Sequence, residues 1–417
     1  MTIRTISSTT LAVNNFIESN IDSIFVITSS IVFTGNEPTT LTMPANSKLV
    51  FKSGGRLCNC IFNGQKALND YVDIQWFSPS SGANYSSLAA AVSVNDNIHI
   101  SGTCTLEKKY VIDRSGVRLF GSHPSGAIIQ GVSFFDNSNY QNKVMNLIEV
   151  SSKQSYITIE NITFKGYRKL SNLPDKRKED DSYLFKGNGN HTNIIIKGCV
   201  FDSATGGIII LPHSQHINIE GCLFKNMVFI PTETAGGYGV VLHQSSVGEG
   251  SDHVIIRNCI FEKTVIRHAM YIQSSNDVLI TNNIVYGTTE YNTSTLINKY
   301  YQYAVHSGPA LTSDEIASID VTKHMIKFDS AISYRGCADI RIIDNYFQSG
   351  LIVMNGSKGP TSTSGVTIKG CFFLVKDNVI KSFCVPDYDT PAILYNWNNI
   401  DNYRLVNNDE IDITYPS

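Results

Sequence analysis

A chain of 417 residues with 42% apolar content is long enough to bury a large core. Its formal charge of −3 leaves no basic surplus to attract nucleic acid or an anionic membrane, so neither partner is expected. No apolar run is long enough to span a bilayer, and the start, MTIRTISSTTLAVNNF, has neither a continuous apolar stretch nor a cleavage site. Membrane insertion and a secretory signal are therefore not expected. The nine cysteines are odd in number and include no CxxC or Cys/His cluster, since Cys58 and Cys60 form only a CxC. Neither a disulfide framework nor a zinc site is expected.

In chain order, residues 1–75 hold strand-rich runs such as IFVITSSIVFTG and KLVFKSGGRLCNCIFNG, broken by Gly and Asn turns. A new unit starts at Tyr71–Phe77 (YVDIQWF). Ser86–Val94 (SSLAAAVSV) is the one helical stretch before residues 98–131 supply strands again. From 145 to 385 one short phrase recurs: ITIENITF (157–164), IIIKGCVF (194–201), INIEGCLF (217–224), VIIRNCIF (254–261), IRIIDNYF (340–347) and VTIKGCFF (366–373). VLITNNIV (278–285) is an eroded further copy. Each has alternating apolar residues, a polar or Gly pair, and a small residue two places before Phe. Alternation marks half-buried strands, and recurrence at this period marks stacked units that cannot bury their apolar faces alone.

The spacing specifies coils. Phe201 and Phe224 lie 23 residues apart, and Phe347 and Phe373 lie 26 apart, which suits a three-sided coil of short strands. The expected fold is all-β: a right-handed parallel β-helix with a strand-rich N-terminal section (1–75), a β-helix body (76–385) and a C-terminal capping coil (386–417). The small position holds Ile162, Cys199, Cys222, Cys259, Asn283, Asn345 and Cys371, and in register these form an interior ladder.

The run LVFKSGGRLCNCIFNG, then VDIQWF, a short helix, and TCTLEKKYVI…VRLFGS…AIIQG resembles the pectate-lyase-like superfamily of right-handed β-helix proteins. That superfamily includes bacteriophage tailspikes, capsule depolymerases, lyases and glycosidases. The resemblance covers most of the chain and implies the architecture and a polysaccharide substrate, here a bacterial surface polysaccharide. It further implies a homotrimer and a virion-tail or extracellular location. Where such proteins often carry an Asp-Gly…Asp-Asp stretch before the helix, this chain reads SGANYSS (81–87), so no catalytic residue is carried over.

Candidate residues come from the strand after each phrase: GIIILPH (207–213), GVVLHQS (239–245), AMYIQSS (269–275), MIKFDSA (325–331) and LIVMNGS (351–357). With Leu211, Leu242, Ile272, Phe328 and Met354 aligned inward, one outward column reads Ile210, Val241, Tyr271, Lys327, Val353. The next reads Pro212, His243, Gln273, Asp329, Asn355. The insertions 165–183, 225–238 and 286–324 all enter before this strand and should wall the same face.

Hydrolysis would use Asp329 with a second carboxylate from Glu233, Glu249 or Asp252. Elimination on a uronate polymer would use His243 or Lys327 as base, Tyr271 as proton donor, and Lys327 or Arg335 as charge clamp. Gln273, Asn355, Arg335, His268, Tyr303 and Glu233 are the candidate substrate-binding residues. No cofactor or metal is expected, although the mixed-charge run Asp175–Asp181 is a place where calcium could bind. Depolymerisation by hydrolysis is the first expectation and elimination the second. A non-catalytic glycan-binding adhesin or virion fibre is the third.

Overall fold

The computed structural model describes residues 1–8, 10, 12–34, 38–64, 70–131, 146–166, 183–227, 229–230, 235–245, 249–262, 268–286, 324–329, 337–348, 351–354, 367–369, 372–374, 400–401 and 404–406. At 64, 229–230, 235–236, 268, 286, 324–329, 347–348 and beyond 350 the description is of the backbone. Three long parallel sheets run the length of the body, with eleven, eleven and eight strands among the described residues. From Asn97 to Met354 each coil contributes one strand to each sheet in turn. One coil, for example, is Thr192–Lys197 in sheet 1, Val200–Ala204 in sheet 2 and Gly206–Ile210 in sheet 3. The fold is a three-faced parallel β-helix. No helix among the described residues is long and apolar enough to cross a membrane.

The recurring phrase spans a corner rather than a single strand. Its first half pairs coil to coil in sheet 1, as Ile194↔Ile217 and Ile217↔Val254. Its second half pairs in sheet 2, as Phe164↔Phe201 and Phe201↔Phe224. The residue between is left-handed in every described copy: Asn161, Gly198, Gly221, Asn258, Asn282 and Asp344 have φ between 53° and 63°. Gly, Asn and Asp are the residues that enter this conformation at least cost, which explains the polar-or-Gly pair.

Behind that corner the side chains stack on their counterparts. Phe164, Phe201, Phe224 and Phe261 are fully buried, with neighbouring ring centroids 5.3, 5.1 and 4.6 Å apart and interplanar angles of 12° or less. The small-residue ladder is interior as expected at Ile162, Cys199, Cys222, Cys259, Asn283 and Asn345, and Cys371 lies outside the described residues. Where Asn replaces Cys, it bonds between coils. Asn283 Oδ1 accepts from the Cys259 N–H, and Asn283 Nδ2 donates to Ile256 O and Asn345 Oδ1, each at 2.9 Å. The seven described cysteines are buried thiols in no disulfide, and burial pushes the thiols of Cys222 and Cys259 well up.

The N-terminal section is built the same way on a smaller scale. Ser23–Ile27, Ser30–Val32 and Thr39–Met43 pair in parallel with Lys48–Phe51, Arg56–Cys58 and Cys60–Gly64. The expected helix is Tyr85–Val94, with an Asn84–Ser87 capping box and a largely buried surface. A short helix at Val13–Glu18 was not expected.

Truncating one ring of the stack, Phe224→Ala, is expected to cost about 3–5 kcal/mol in urea unfolding. At the corner, Gly221→Asn should leave the unfolding midpoint nearly unchanged, because Asn tolerates φ +63° and a Cβ there meets nothing closer than 3.8 Å. Gly221→Val should cost roughly 1–2 kcal/mol through the same backbone angle.

Candidate functional site

Sheets 1 and 3 present different outer surfaces. Sheet 1 is laced by ion pairs from coil to coil: Arg118–Glu160 at 2.6 Å, Arg257–Glu220 at 2.9 Å and Arg341–Asp277 at 2.6 Å. On sheet 3, Tyr183, Ile209, Tyr238 and Val241 form an apolar cluster of their own, with Leu211 and Tyr271 packed against it. Ile208, Ile210, Val240, Leu242, Met270 and Ile272, on the same strands, belong to the main core. The strands Gly206–Ile210 and Tyr238–Leu242 are buried throughout, so this sheet is covered on both faces there. Gly206 is what makes room for Tyr183, since a Cβ would lie 2.2 Å from the ring.

The strand register settles the outward column. It runs Val111, Glu149, Lys186, Ile209, Val241, Tyr271, one residue per coil, and the backbone register continues it to Lys327 and Val353. The expected column is correct from Val241 onward and wrong at its start. Ile210, not Leu211, pairs with Leu242, so Ile210 faces the core and Ile209 takes its place. Pro212 correspondingly loses its position beside His243. The run GIIIL is buried on both faces and carries no polar mark to fix its register, so a one-residue slip was invisible in the sequence.

Three predicted residues come together in full atomic detail. His243 is exposed and follows Leu242 directly, level with Gln273. Its Nδ1 lies 2.7 Å from the Gln244 carbonyl oxygen. A carbonyl only accepts, so Nδ1 carries the hydrogen and Nε2 holds the basic lone pair of the neutral ring. Tyr271 is half-buried and stacks on Tyr238 at 5.6 Å. Its phenol oxygen accepts from Gln273 Nε2 at 3.0 Å. Gln273 corrects an expectation: it is only 4% exposed and is engaged within the protein. Its Oε1 accepts from the Gln244 N–H at 3.4 Å, and Gln244 Oε1 accepts from Ser274 Oγ at 2.7 Å. It therefore positions Tyr271 rather than lining an open surface.

The backbone places Lys327 opposite Tyr271 and Asp329 opposite Gln273. The side chains of these two, and that of His268, whose backbone pairs with Tyr238, lie outside the description. Glu233, Tyr303, Arg335, Asn355 and the Asp175–Asp181 run lie outside the described residues altogether. Of the remaining carboxylates, Glu249 Oε2 lies 3.4 Å from His213 Nδ1, and Asp252 opens a strand of sheet 1. No carboxylate pair is assembled on the sheet 3 face among the described residues. Nor do three His, Cys, Asp or Glu side chains converge as a metal-ligand set among them.

The earlier members of the column, among them Glu149 and Lys186, escaped sequence reasoning. Glu149 is 9% exposed, with Oε2 2.8 Å from Lys109 Nζ and 3.2 Å from Asn146 Nδ2. Oε1 accepts from Asn188 Nδ2 at 2.7 Å. Burial raises its pKa, but the hydrogen bonds from Lys109, Asn188 and Asn146 and the lysine charge outweigh that and hold it below the ordinary value. It lies before the first copy of the phrase, so only coil spacing could have signalled it.

No family model matches the chain, and no curated protein does. Similar solved structures include a PL6 family alginate lyase, AlyGC, at 12% identity and TM-score 0.39, covering 85% of this chain and 57% of that one. PfbA, a surface adhesin of Streptococcus pneumoniae, matches at 10% identity and TM-score 0.33, covering 84% and 82%. A mannuronic acid specific polysaccharide family 6 lyase from human gut microbiota matches at 12% identity and TM-score 0.30, covering 97% and 87%. The chain thus spans little more than half of the length of AlyGC.

Because the Glu149 pKa is depressed, its carboxylate stabilises the fold above the ordinary value of 4.5, and that contribution is lost as pH falls through the lower folded value. Glu149→Gln is expected to lower the thermal midpoint at pH 7. Below pH 4.5 the variant should lose stability less steeply than the parent in a pH series of melts.

Proposed function

We infer that the outer face of sheet 3 around His243 and Tyr271 binds an extended, uronate-containing polysaccharide and cleaves it by β-elimination. The observation that carries this reading is the juxtaposition, on neighbouring strands of one face, of an exposed imidazole with its basic nitrogen available and a phenol steadied by Gln273. A lysine position stands opposite that phenol. Elimination needs three services: removal of the proton beside the carboxylate, neutralisation of the carboxylate as charge spreads into it, and protonation of the leaving oxygen. His243 Nε2 would take the proton, Lys327 would hold the carboxylate, and Tyr271 would return a proton to the departing sugar. The Gln273 amide, donating to the phenol oxygen, stabilises the phenolate left behind.

Elimination fits the described residues better than hydrolysis does, because hydrolysis requires two carboxyls facing one bond. Among the described residues no second carboxylate lies beside the position of Asp329 on this face: Glu149 is several coils away and held by Lys109, Glu249 lies near His213 and Asp252 is on another sheet. The apolar cluster of Tyr183, Tyr238, Ile209 and Val241 lies beside Tyr271 on the same face and packs against its ring, which holds this part of the face rigid. A rigid face suits a polymer whose successive sugars must lie along successive coils. We place such an enzyme at a bacterial surface, extracellular or on a virion tail, where a homotrimer would set three such faces side by side.

Incubation with a panel of uronate and neutral polysaccharides tests the reading. Ultraviolet absorbance from an unsaturated uronate is expected, falling by roughly 10²–10⁴ in His243→Ala and in Tyr271→Phe with the fold intact. New reducing ends without absorbance would establish hydrolysis instead. Binding with neither signal would make the face an adhesive surface.

A further inference from the structure

The first coils of the body carry a constellation that cleavage at sheet 3 does not use. Asp73 and His99 pair on neighbouring strands of sheet 1, and His99 pairs on its other side with Phe120, two residues before Ser122. Asp73 Oδ2 lies 2.8 Å from His99 Nδ1, and His99 Nε2 lies 3.0 Å from Ser122 Oγ. A carboxylate only accepts, so Nδ1 carries the hydrogen, Nε2 presents its lone pair, and the Ser122 hydroxyl donates to it. Carboxylate, imidazole and hydroxyl in that order are what activate a serine nucleophile, whatever the fold.

Each member is held in place from outside the set. Asp73 Oδ1 accepts from the Gln75 N–H at 2.8 Å and from Ser101 Oγ at 2.5 Å, which fixes the carboxylate while Oδ2 stays on the imidazole. Ser122 follows Gly121, where a Cβ would fall 2.2 Å from Ala127 Cβ and 2.5 Å from Asn161 O. Only glycine lets the chain pass this corner, and the corner brings Ser122 beside His99. Ser122 itself is exposed, while the His99 and Asp73 side chains are 18% and 16% exposed. The hydroxyl can therefore be reached from solvent, and the groups behind it are shielded.

The neighbouring surface is aromatic. Tyr71 is 44% exposed, and its ring lies 5.8 Å from His99, 5.8 Å from Phe120 and 6.4 Å from Trp76. Such a platform takes the apolar face of a sugar ring or a short acyl chain.

We propose that Ser122, His99 and Asp73 form an esterase site that removes a small acyl group from a sugar hydroxyl. Ser122 Oγ attacks the ester carbonyl carbon as its proton passes to His99 Nε2. The bond from that carbon to the sugar oxygen breaks, and His99 returns the proton to the sugar oxygen. Water then attacks the acyl-serine, again giving its proton to His99, which passes it to Ser122 as the carboxylic acid leaves. One ester and one water become one alcohol and one acid. Sheet 3 takes no part, so the site stands whether or not that face cleaves polymer.

The full chain, treated with a fluorophosphonate and mapped by peptide mass spectrometry, is expected to carry one adduct, on Ser122. It should release p-nitrophenol from p-nitrophenyl acetate and acetate from a chemically O-acetylated alginate. Ser122→Ala and His99→Gln, with unchanged melting midpoints, should lose roughly a hundredfold or more of both rates. An adduct absent from Ser122, or ester hydrolysis unchanged in Ser122→Ala, would overturn the proposal and leave the three residues as a surface hydrogen-bond ladder. Loss in Ser122→Ala together with the mapped adduct supports it even if no polysaccharide is cut.

Discussion

Everything in this molecule depends on one coil lying in register on the next, and the register is held at the corner between sheets 1 and 2. The left-handed residue at that corner turns the chain, and the phenylalanine three places later lands on the phenylalanine of the coil before. The two effects reinforce each other. A stack of flat rings about 5 Å apart matches the strand spacing of ~4.8 Å, so rings and backbone hydrogen bonds are satisfied by the same geometry. Moving one coil by a single residue would unstack the rings and turn every outward side chain inward.

That register converts a sequence period into a spatial cluster. Residues 20–40 positions apart become neighbours, and a polar set can be assembled from members that no local motif would join. Asp73 and His99 are 26 residues apart, and His99 and Ser122 are 23 apart, which are coil lengths. Tyr238 and Tyr271 meet in the same way across one coil that includes a loop. On such a scaffold a site is a column, and its members differ mainly in which coil supplies them.

This also explains what could be read from the sequence. The corner phrase is legible because three constraints coincide in eight residues: alternation, a residue tolerant of positive φ, and a ring to stack. It gave the fold, the interior Cys and Asn ladder, and the two sheets that meet there. Sheet 3 was harder. His243, Tyr271 and Lys327 were placed on one face because polar residues marked it, whereas GIIIL offered no such mark and Ile210 was assigned to the wrong side. Gln273 was assigned to the correct strand position, but its burial depends on Gln244 and Tyr271, which alternation does not weigh. Glu149, Asp73, His99 and Ser122 were missed because they lie before the phrase begins. There the coil period is present without its signature.

The contrast between outer surfaces follows from the connections. The long segments after residues 165, 227 and 286 all join sheet 2 to sheet 3, while in every described copy of the phrase from Ile157 onward sheet 1 passes to sheet 2 through the tight left-handed corner. An insertion at that corner would break the ring stack, so within the repeat body the long segments enter away from it, three of them at the entrance to sheet 3. The outer surface of sheet 1 carries solvent-exposed ion pairs between coils, such as Arg257–Glu220. Sheet 3 can afford an apolar outer cluster, because its strands are covered at Ile209 and Val241 and open only near Tyr271 and His243. The constraint that fixes the fold at one corner therefore decides where elaboration is possible, and elaboration is what a polymer-binding face requires. A small hydrolytic set such as Ser122–His99–Asp73 has no such need, since three short side chains on consecutive coils of the regular surface suffice to build it.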